Sequence, residues 1–183
     1  IKRNALETAI RKTLHQPGKI ELTPEEDEPS APFPETRDQI KRGALETAIR
    51  KTLHQPHKDN AARDVTSLEV LSAGGEGISD LSGLRDARNL TYLDLSGNRI
   101  TDITVLSGLT KLTELNLRTN QITDITPLAN LFNLEELWLY ENQITDPAPL
   151  GKLKNLRELY LGLNNITDDQ KAMLKKTLPN CDI

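Results

Sequence analysis

Hydrophobic and polar residues repeat one pattern every 22 residues from Leu68 onward. Three regular blocks, beginning at Leu90, Leu112 and Leu134, read LTYLDLSGNRITDITVLSGLTK, LTELNLRTNQITDITPLANLFN and LEELWLYENQITDPAPLGKLKN. An irregular block precedes them, and a partial block begins at Leu156. Alternating leucine and polar residues predict a short strand at the start of each block. One such unit cannot bury its apolar side alone, so the blocks are expected to stack.

The period and the pattern LxxLxLxxNxI are typical of a leucine-rich-repeat solenoid. We therefore expect an α/β repeat solenoid, a short arc with a parallel sheet on its concave side and helical caps at both ends. Pro127 and Pro149 interrupt any regular helix after the strands, which predicts extended or 3-10 segments on the convex side. Scaffolds of this kind usually present a binding surface.

An asparagine recurs where each predicted strand ends. A buried amide offers donors and an acceptor to the backbone at a bend, and its loss would leave backbone groups unpaired. We expect a structural ladder formed by Asn98, Asn120, Asn142 and Asn164. The irregular first block has Glu76 at this position, which suits a terminal repeat.

The tripeptide Ile-Thr-Asp follows each asparagine and places a second ladder at Asp102, Asp124, Asp146 and Asp168. Stacked carboxylates attract calcium, but these segments lack the dense and varied oxygen ligands of a calcium loop. Capping of the turn that follows is the favoured interpretation. The three histidines have no companion ligands, so we expect neither a metal nor a cofactor.

A closing helix is predicted after the last repeat, in DDQKAMLKKTLPNCDI. Asp168 or Asp169 is expected to cap its N-terminus, and Met173, Leu174 and Leu178 form its apolar stripe. Such a helix would cover the core that a solenoid exposes at its end.

Residues 1–19 and 40–58 are two copies of one amphipathic helical sequence, identical at seventeen of nineteen positions. The acidic, proline-rich stretch between them predicts a semi-extended linker. The second copy is contiguous with the repeats and is expected to cap them. The first copy packs beside the second, docks on another molecule in a swapped or head-to-tail dimer, or has no role; all three stay open. The predicted domains are the helix 1–19, the linker 20–39, the cap 40–67, the repeats 68–167 and the C-terminal cap 168–183.

Solvent-facing strand positions form columns across the predicted sheet, because neighbouring strands lie about 4.8 Å apart. The candidate partner-binding residues in these columns are Tyr92, Asp94, Glu114, Asn116, Arg118, Glu136, Trp138, Tyr140, Glu158 and Tyr160. Trp138, Tyr140 and Tyr160 are three of only six aromatic residues in the chain and should cluster. Such side chains dominate binding hot spots, although they are also favoured in strands without any function.

One column stacks Glu114, Glu136 and Glu158 across neighbouring strands. Like charges directly opposite each other destabilise a sheet. Either a basic partner binds this column, or the column is a solvated face relieved by Arg118 and Arg157. The two interpretations stay equally open at this point.

Composition narrows the class of partner. The formal net charge of −4 does not suggest a nucleic-acid partner, which usually requires a basic stripe. No apolar run approaches the ~18–20 residues that span a bilayer, and the chain begins with a charged helical pattern rather than an apolar signal segment. With Cys181 as the one cysteine, no intramolecular disulfide is expected.

The ITDIxPLxxLxxL repeats, together with IKRGALETAIRKTLHQ before them, resemble bacterial internalin-like leucine-rich-repeat proteins with an N-terminal helical cap. The resemblance runs from about Ile40 to the C-terminus. It implies a binding role without naming a ligand, and it favours a secreted or cell-surface location, with a cytoplasmic one still open. The repeats also have some likeness to eukaryotic phosphatase-regulatory proteins.

Three functions follow. The leading hypothesis is a non-enzymatic module that binds a protein partner through the concave face. The alternative is an intracellular regulatory or assembly subunit of an enzyme, similar to the phosphatase regulators. A hydrolase using Asp94 and Glu114 is the least favoured, because an open sheet does little to desolvate paired carboxylates.

Overall fold

Five short parallel strands and the turns behind them make up most of the computed structural model, which describes residues 37–52 and 65–183. The predictions for segment 1–19, and for the linker as far as residue 36, fall outside these described residues. The strands pair in chain order, so each repeat adds one strand at the edge of the sheet. They are β1 Val70–Ser72, β2 Tyr92–Asp94, β3 Glu114–Asn116, β4 Glu136–Trp138 and β5 Glu158–Tyr160.

The convex side returns through short 3-10 segments rather than α-helices. They span Val65–Ser67, Ser82–Leu84, Thr104–Gly108, Thr126–Asn130 and Ala148–Lys152. Pro127 and Pro149 lie in the first turn of the last two, where a missing N–H leaves no bond unmade. The predicted α/β repeat solenoid, with a parallel sheet and a 3-10 convex side, is confirmed.

The core lies between the sheet and the 3-10 segments. Leu115, Leu117 and Ile122 from the strand side have no exposed surface, and neither do Leu128 and Leu131 from the return. Each burial of such a side chain is worth about 1.5–3 kcal/mol. Because the middle residue of each strand points inward, the residues on either side of it face the concave surface.

The asparagine at the end of each strand ties one repeat to the repeat before it. The side-chain nitrogen of Asn142 donates to the carbonyls of Leu139 (3.1 Å) and Leu117 (3.0 Å). Its Oδ1 accepts from the backbone N–H of Ile122 at 3.0 Å. The same three bonds recur at Asn98, Asn120 and Asn164.

A second set of asparagines, which the sequence analysis did not identify, joins the repeats on the other side. Asn133 and Asn155 each donate to a carbonyl of the preceding repeat, and Asn89 donates to the carbonyl of Thr66, just before the first repeat, all at 2.7–2.8 Å. These bonds are exposed, so if one is lost, water can hydrogen-bond to the backbone carbonyl that is left without its partner.

Every repeat leaves its strand through one residue with left-handed backbone. In the order of the chain these residues are Gly75, Gly97, Thr119, Glu141 and Leu163, with φ of 72°, 64°, 54°, 58° and 51°. A residue with a Cβ pays about 1–2 kcal/mol for this conformation, whereas glycine adopts it freely. The last three repeats therefore carry a strain that the first two avoid.

The N-terminal cap is helix α1, Arg37–Thr52, which begins three residues before the predicted cap. Leu45, Ala48 and Ile49 are buried in the core of the repeats. The Leu45 side chain packs closely on the first 3-10 turn, since a Cβ at Gly83 would lie 3.3 Å from Leu45 Cδ2. The cap thus covers the open end of the leucine stack.

The C-terminal cap is helix α2, Asp168–Thr177. The expected N-cap at Asp168 or Asp169 was wrong: Thr167, with extended backbone, caps the helix. Its hydroxyl accepts from Gln170 N at 3.3 Å, and Gln170 Oε1 accepts from Thr167 N at 2.9 Å. This reciprocal capping box satisfies two N–H groups, which an aspartate inside the first turn cannot do.

The apolar stripe of α2 is narrower than predicted. Leu174 and Leu178 are buried, but 69% of Met173 is exposed. Beyond the helix, Asp182 lies beside β5, where Leu159 N donates to its carbonyl at 2.8 Å. Neither α1 nor α2 has the length and apolarity that a bilayer span requires. No other helix in the described ranges could span a bilayer either.

Replacing Asn142 with alanine should lower the free energy of unfolding by about 3 kcal/mol, because it leaves buried backbone groups without partners. Asn133→Ala removes the exposed hydrogen bond from Asn133 and should lower the free energy of unfolding by less than about 1 kcal/mol. Chemical denaturation of both variants measures the difference. Equal losses would show that the buried ladder has no special role in stability.

Candidate functional site

Strand register aligns the concave side chains in columns. The pairing places Glu114, Glu136 and Glu158 opposite one another in succession, with Tyr92 at the start of the column. The next column runs in the order Asp94, Asn116, Trp138, Tyr160. Backbone bonds beyond the strands keep a third column aligned, in the order Ser96, Arg118, Tyr140, Gly162.

Three aromatic side chains meet at the C-terminal end of the sheet, and we call Trp138, Tyr140 and Tyr160 the aromatic patch. The rings of Trp138 and Tyr160 are stacked, with centroids 6.0 Å apart and planes within 1°. Tyr140 lies over Gly162, where an added Cβ would be 2.8 Å from the ring Cδ2. Tyr140 remains 38% exposed and Tyr160 46% exposed. The patch is therefore both ordered by its own contacts and open to solvent.

In the second column, Asp94 and Asn116 bind the backbone, whereas Trp138 and Tyr160 provide aromatic surface. Asp94 Oδ1 accepts from Ser96 N at 2.9 Å, and Asn116 Oδ1 accepts from Arg118 N at 3.1 Å. These two side chains hold the ends of their own strands. Tryptophan and tyrosine cannot make this bond through a short side-chain oxygen, so the last two repeats give up a local backbone contact for aromatic surface.

The glutamate column is electrostatically unfavourable. Partial burial, followed by the charges of Glu114 and Glu158, raises the pKa of Glu136. Tyr160 Oη donates to Glu158 Oε2 at 2.7 Å, and this bond and the Glu158 charge raise the pKa of Tyr160. Arg157 forms its ion pair with Glu135, at 3.2 Å, rather than with the column.

Tyr92 stands apart from the aromatic patch. It lies on β2, and β3 separates it from Trp138 on β4. Burial and the charges of Asp94 and Glu114 raise the pKa of its hydroxyl. Arg118 is exposed beside Tyr140 in the third column.

The repeated aspartates cap turns on the convex side. Asp102 and Asp124 each accept from the backbone N–H two residues on, at 2.8 Å. Side-chain and backbone bonds from Thr104 lower the pKa of Asp102, and bonds from Thr126 do the same for Asp124. Asp146 accepts from Ala148 N at 2.9 Å, whereas Asp168 begins α2. Across the described ranges, no three histidine, cysteine or acidic side chains lie close enough together to hold a metal ion.

Two residues beside the aromatic patch escaped the sequence analysis. Gly162 makes room for the Tyr140 ring, and Leu163 is 65% exposed although it has a left-handed backbone. The first has a signal in the sequence, since glycine replaces the larger residues of the three regular repeats, although the irregular first repeat also has a glycine there, Gly74. The second becomes conspicuous only once the backbone conformation and the exposure are known.

Comparisons with known proteins agree with this architecture. Residues 88–130 and 133–175 match the family described as Leucine Rich repeats (2 copies). The structure is similar to an internalin (InlF) from Listeria monocytogenes, with 36% identity and a TM-score of 0.72, over 84% of this chain and 45% of that one. A leucine-rich-repeat protein of Leptospira interrogans is similar at 25% identity and a TM-score of 0.53, over 69% of this chain and 39% of that one. No significant match was found among curated proteins. The chain thus spans less than half the length of either similar structure.

Gly162→Ala should displace the Tyr140 ring and lower the free energy of unfolding by about 1 kcal/mol, through lost packing. The control is Gly108→Ala, because a Cβ there meets no atom within 4 Å. In a Tyr140→Ala background, Gly162→Ala should have no further effect. A loss that persists without the tyrosine ring would contradict this origin.

Glu136→Gln should raise the free energy of unfolding near pH 7, because it removes one of three neighbouring charges. The raised pKa fixes the sign of the pH dependence: acidification through that pKa neutralises Glu136, so the advantage of the variant disappears at low pH. Glu46→Gln is the matched control, since Glu46 lies on α1, outside the column, and its substitution loses an ion pair with Arg50, so this variant should gain no stability. Thermal denaturation from pH 3 to 8 measures both, and equal behaviour of the two variants would refute repulsion within the column.

Proposed function

This chain is an internalin-like leucine-rich-repeat protein of the bacterial type, and we propose that it binds a protein partner through the concave face of its repeats. Leucine-rich-repeat proteins serve in general as protein-interaction modules, and their fold is generally a non-enzymatic scaffold. The proposal assigns that general role to one surface and to named side chains.

The aromatic patch is the observation that carries the proposal. Trp138, Tyr140 and Tyr160 bring large apolar area to an open surface, yet their own contacts already fix their rings. Side chains that are ordered before binding lose little entropy on binding. Tryptophan and tyrosine also dominate measured interface hot spots, since they combine large area with a polar group.

The alternative function, a regulatory subunit of an enzyme similar to the phosphatase regulators, is not favoured by the comparisons. Both similar structures are bacterial proteins, one of them an internalin. A hydrolase centred on Asp94 is also less favoured, because Asp94 already accepts the backbone N–H of Ser96. A carboxylate held by its own strand end is poorly placed for proton transfer.

The first experiment is affinity capture followed by mass spectrometry, using the native chain and a Trp138→Ala/Tyr160→Ala variant. The variant should keep the same circular dichroism spectrum and lose the captured partner, because it removes the centre of the interface. Phe132→Ala is the control: this side chain is 52% exposed and follows the convex 3-10 segment, away from the sheet. Its partners should match those of the native chain.

Equal capture by the native chain and the double variant would contradict the assignment of the concave face. Attention would then move to the duplicated sequence at residues 1–19. Loss of partners in the Phe132 variant alone would instead place the binding surface on the convex side.

A further inference from the structure

Within the described ranges, the glutamate column has no ion-pair partner, although the charge of Arg157 partly offsets that of Glu136. Strand register brings Glu114, Glu136 and Glu158 onto neighbouring strands, about 4.8 Å apart. Among the described residues, no lysine or arginine nitrogen lies within 4.0 Å of these three carboxylates. Arg157, next to Glu158 in the sequence, is the obvious candidate for an ion pair with the column, but it pairs with Glu135 instead. The interpretation of a solvated face relieved by Arg157 is therefore weaker than it was from the sequence.

The column is joined directly to the aromatic patch. Tyr160 Oη donates to Glu158 Oε2 at 2.7 Å, so the edge of the patch is negatively charged. An aromatic face next to a carboxylate suits an arginine or lysine side chain, which interacts with the ring as well as with the charge. A neutral apolar ligand would cover the carboxylates without compensating their lost hydration.

Leu163 extends the surface on the other side of the aromatic patch. Its side chain is 65% exposed, and its backbone is left-handed, with φ of 51°. Burial of the side chain therefore does not compensate the energetic cost of this backbone conformation. The equivalent positions of the first two repeats are the glycines Gly75 and Gly97, which adopt this conformation without strain. Thr119 and Glu141 share this backbone conformation, so the feature particular to Leu163 is its exposed apolar side chain. A strained and solvent-exposed leucine next to the seat of Tyr140 is consistent with a contact made on binding.

Within the last repeat, these features follow one another along the chain. Glu158 and Tyr160 are two residues apart on β5, roughly 7 Å in an extended strand, and Leu163 follows three residues later at the turn. Along β5, a ligand would meet Glu158, then Tyr160, then the exposed Leu163. Its basic side chains would have to reach sideways to Glu136 on β4 and Glu114 on β3.

We propose that the concave face docks an extended, positively charged segment of a partner protein. Its lysine or arginine side chains lie against Glu114, Glu136 and Glu158 and on the aromatic patch, and an apolar side chain packs on Leu163. This inference rests on the proposed function, since it names the chemistry of the partner that the concave face binds.

The test uses a phage-displayed library of random twelve-residue peptides, selected on the immobilised full chain at low ionic strength. Enriched peptides should combine several lysines or arginines with an apolar residue. Their affinity should fall about tenfold with Glu136→Gln/Glu158→Gln and should weaken as salt is raised, because exposed charges are screened. Glu46→Gln/Asp169→Asn removes the same two negative charges from the helices and should leave the affinity unchanged.

A second pair of variants separates the role of Leu163 from folding. Leu163→Gly relieves the left-handed backbone, so it should raise the melting temperature while it weakens peptide binding severalfold. Thr119→Gly relieves the backbone at the equivalent position two repeats earlier, although it also removes the bond from the Thr119 hydroxyl to Glu141 Oε2 at 2.9 Å, and it should leave peptide binding unchanged. A merely structural role for Leu163 would change stability without changing affinity.

Different results overturn different claims. Enriched peptides that lack positive charge, or that bind Glu136→Gln/Glu158→Gln as tightly as the native chain, would overturn the claim that the partner segment is basic. If those peptides still fail to bind Trp138→Ala/Tyr160→Ala, the concave face itself survives as the binding site. Peptides that are insensitive to every one of these variants, or the absence of any enriched peptide, would overturn the proposal of an extended segment.

Discussion

The bond that the rest of this structure depends on joins the amide of one buried asparagine to the backbone of two repeats. Asn142 donates to carbonyls of its own repeat and of the preceding one, and accepts an N–H from the preceding one. Because two of the three bonds cross to the preceding repeat, they fix the register between neighbouring strands as well as their distance. Leucine packing alone tolerates sliding, since apolar contacts have no direction. The polar ladder therefore determines which concave side chains lie opposite each other.

The strand positions and the buried asparagines were predictable from the sequence because they repeat, whereas the exposed asparagines Asn89, Asn133 and Asn155 also repeat and were missed. Strand positions, inward leucines and the columns through Trp138 and Tyr160 follow from a period of 22 residues and from alternation along a strand. The seat of Tyr140 on Gly162 and the capping by Thr167 depend on single contacts that no periodicity encodes. The expected core position of Met173 failed for the same reason, because only part of a short terminal helix touches the last repeat.

The separation between a repeated core and variable surface positions also explains why an unfavourable charge column persists. Each pair of neighbouring glutamates costs only a few tenths of a kcal/mol at a solvated sheet surface. The leucines behind them contribute far more in every repeat. A solenoid with this core can hold Glu114, Glu136 and Glu158 in one row without losing its fold. Stability therefore does not explain the charges, whereas the proposed binding of a basic segment would.

The second concave column supports the same argument from the other direction. In β2 and β3 it holds Asp94 and Asn116, whose oxygens close the strand ends. In β4 and β5 the equivalent residues are Trp138 and Tyr160, which give up that bond and leave large rings in solvent. Leu163 likewise keeps a strained backbone where glycine serves the first two repeats. Trp138, Tyr160 and Leu163 thus bring three large side chains into the last two repeats, next to Glu158, although the left-handed backbone itself is shared with Thr119 and Glu141. Because these side chains lie on β4, β5 and the turn after β5, we place the proposed ligand at this end of the sheet.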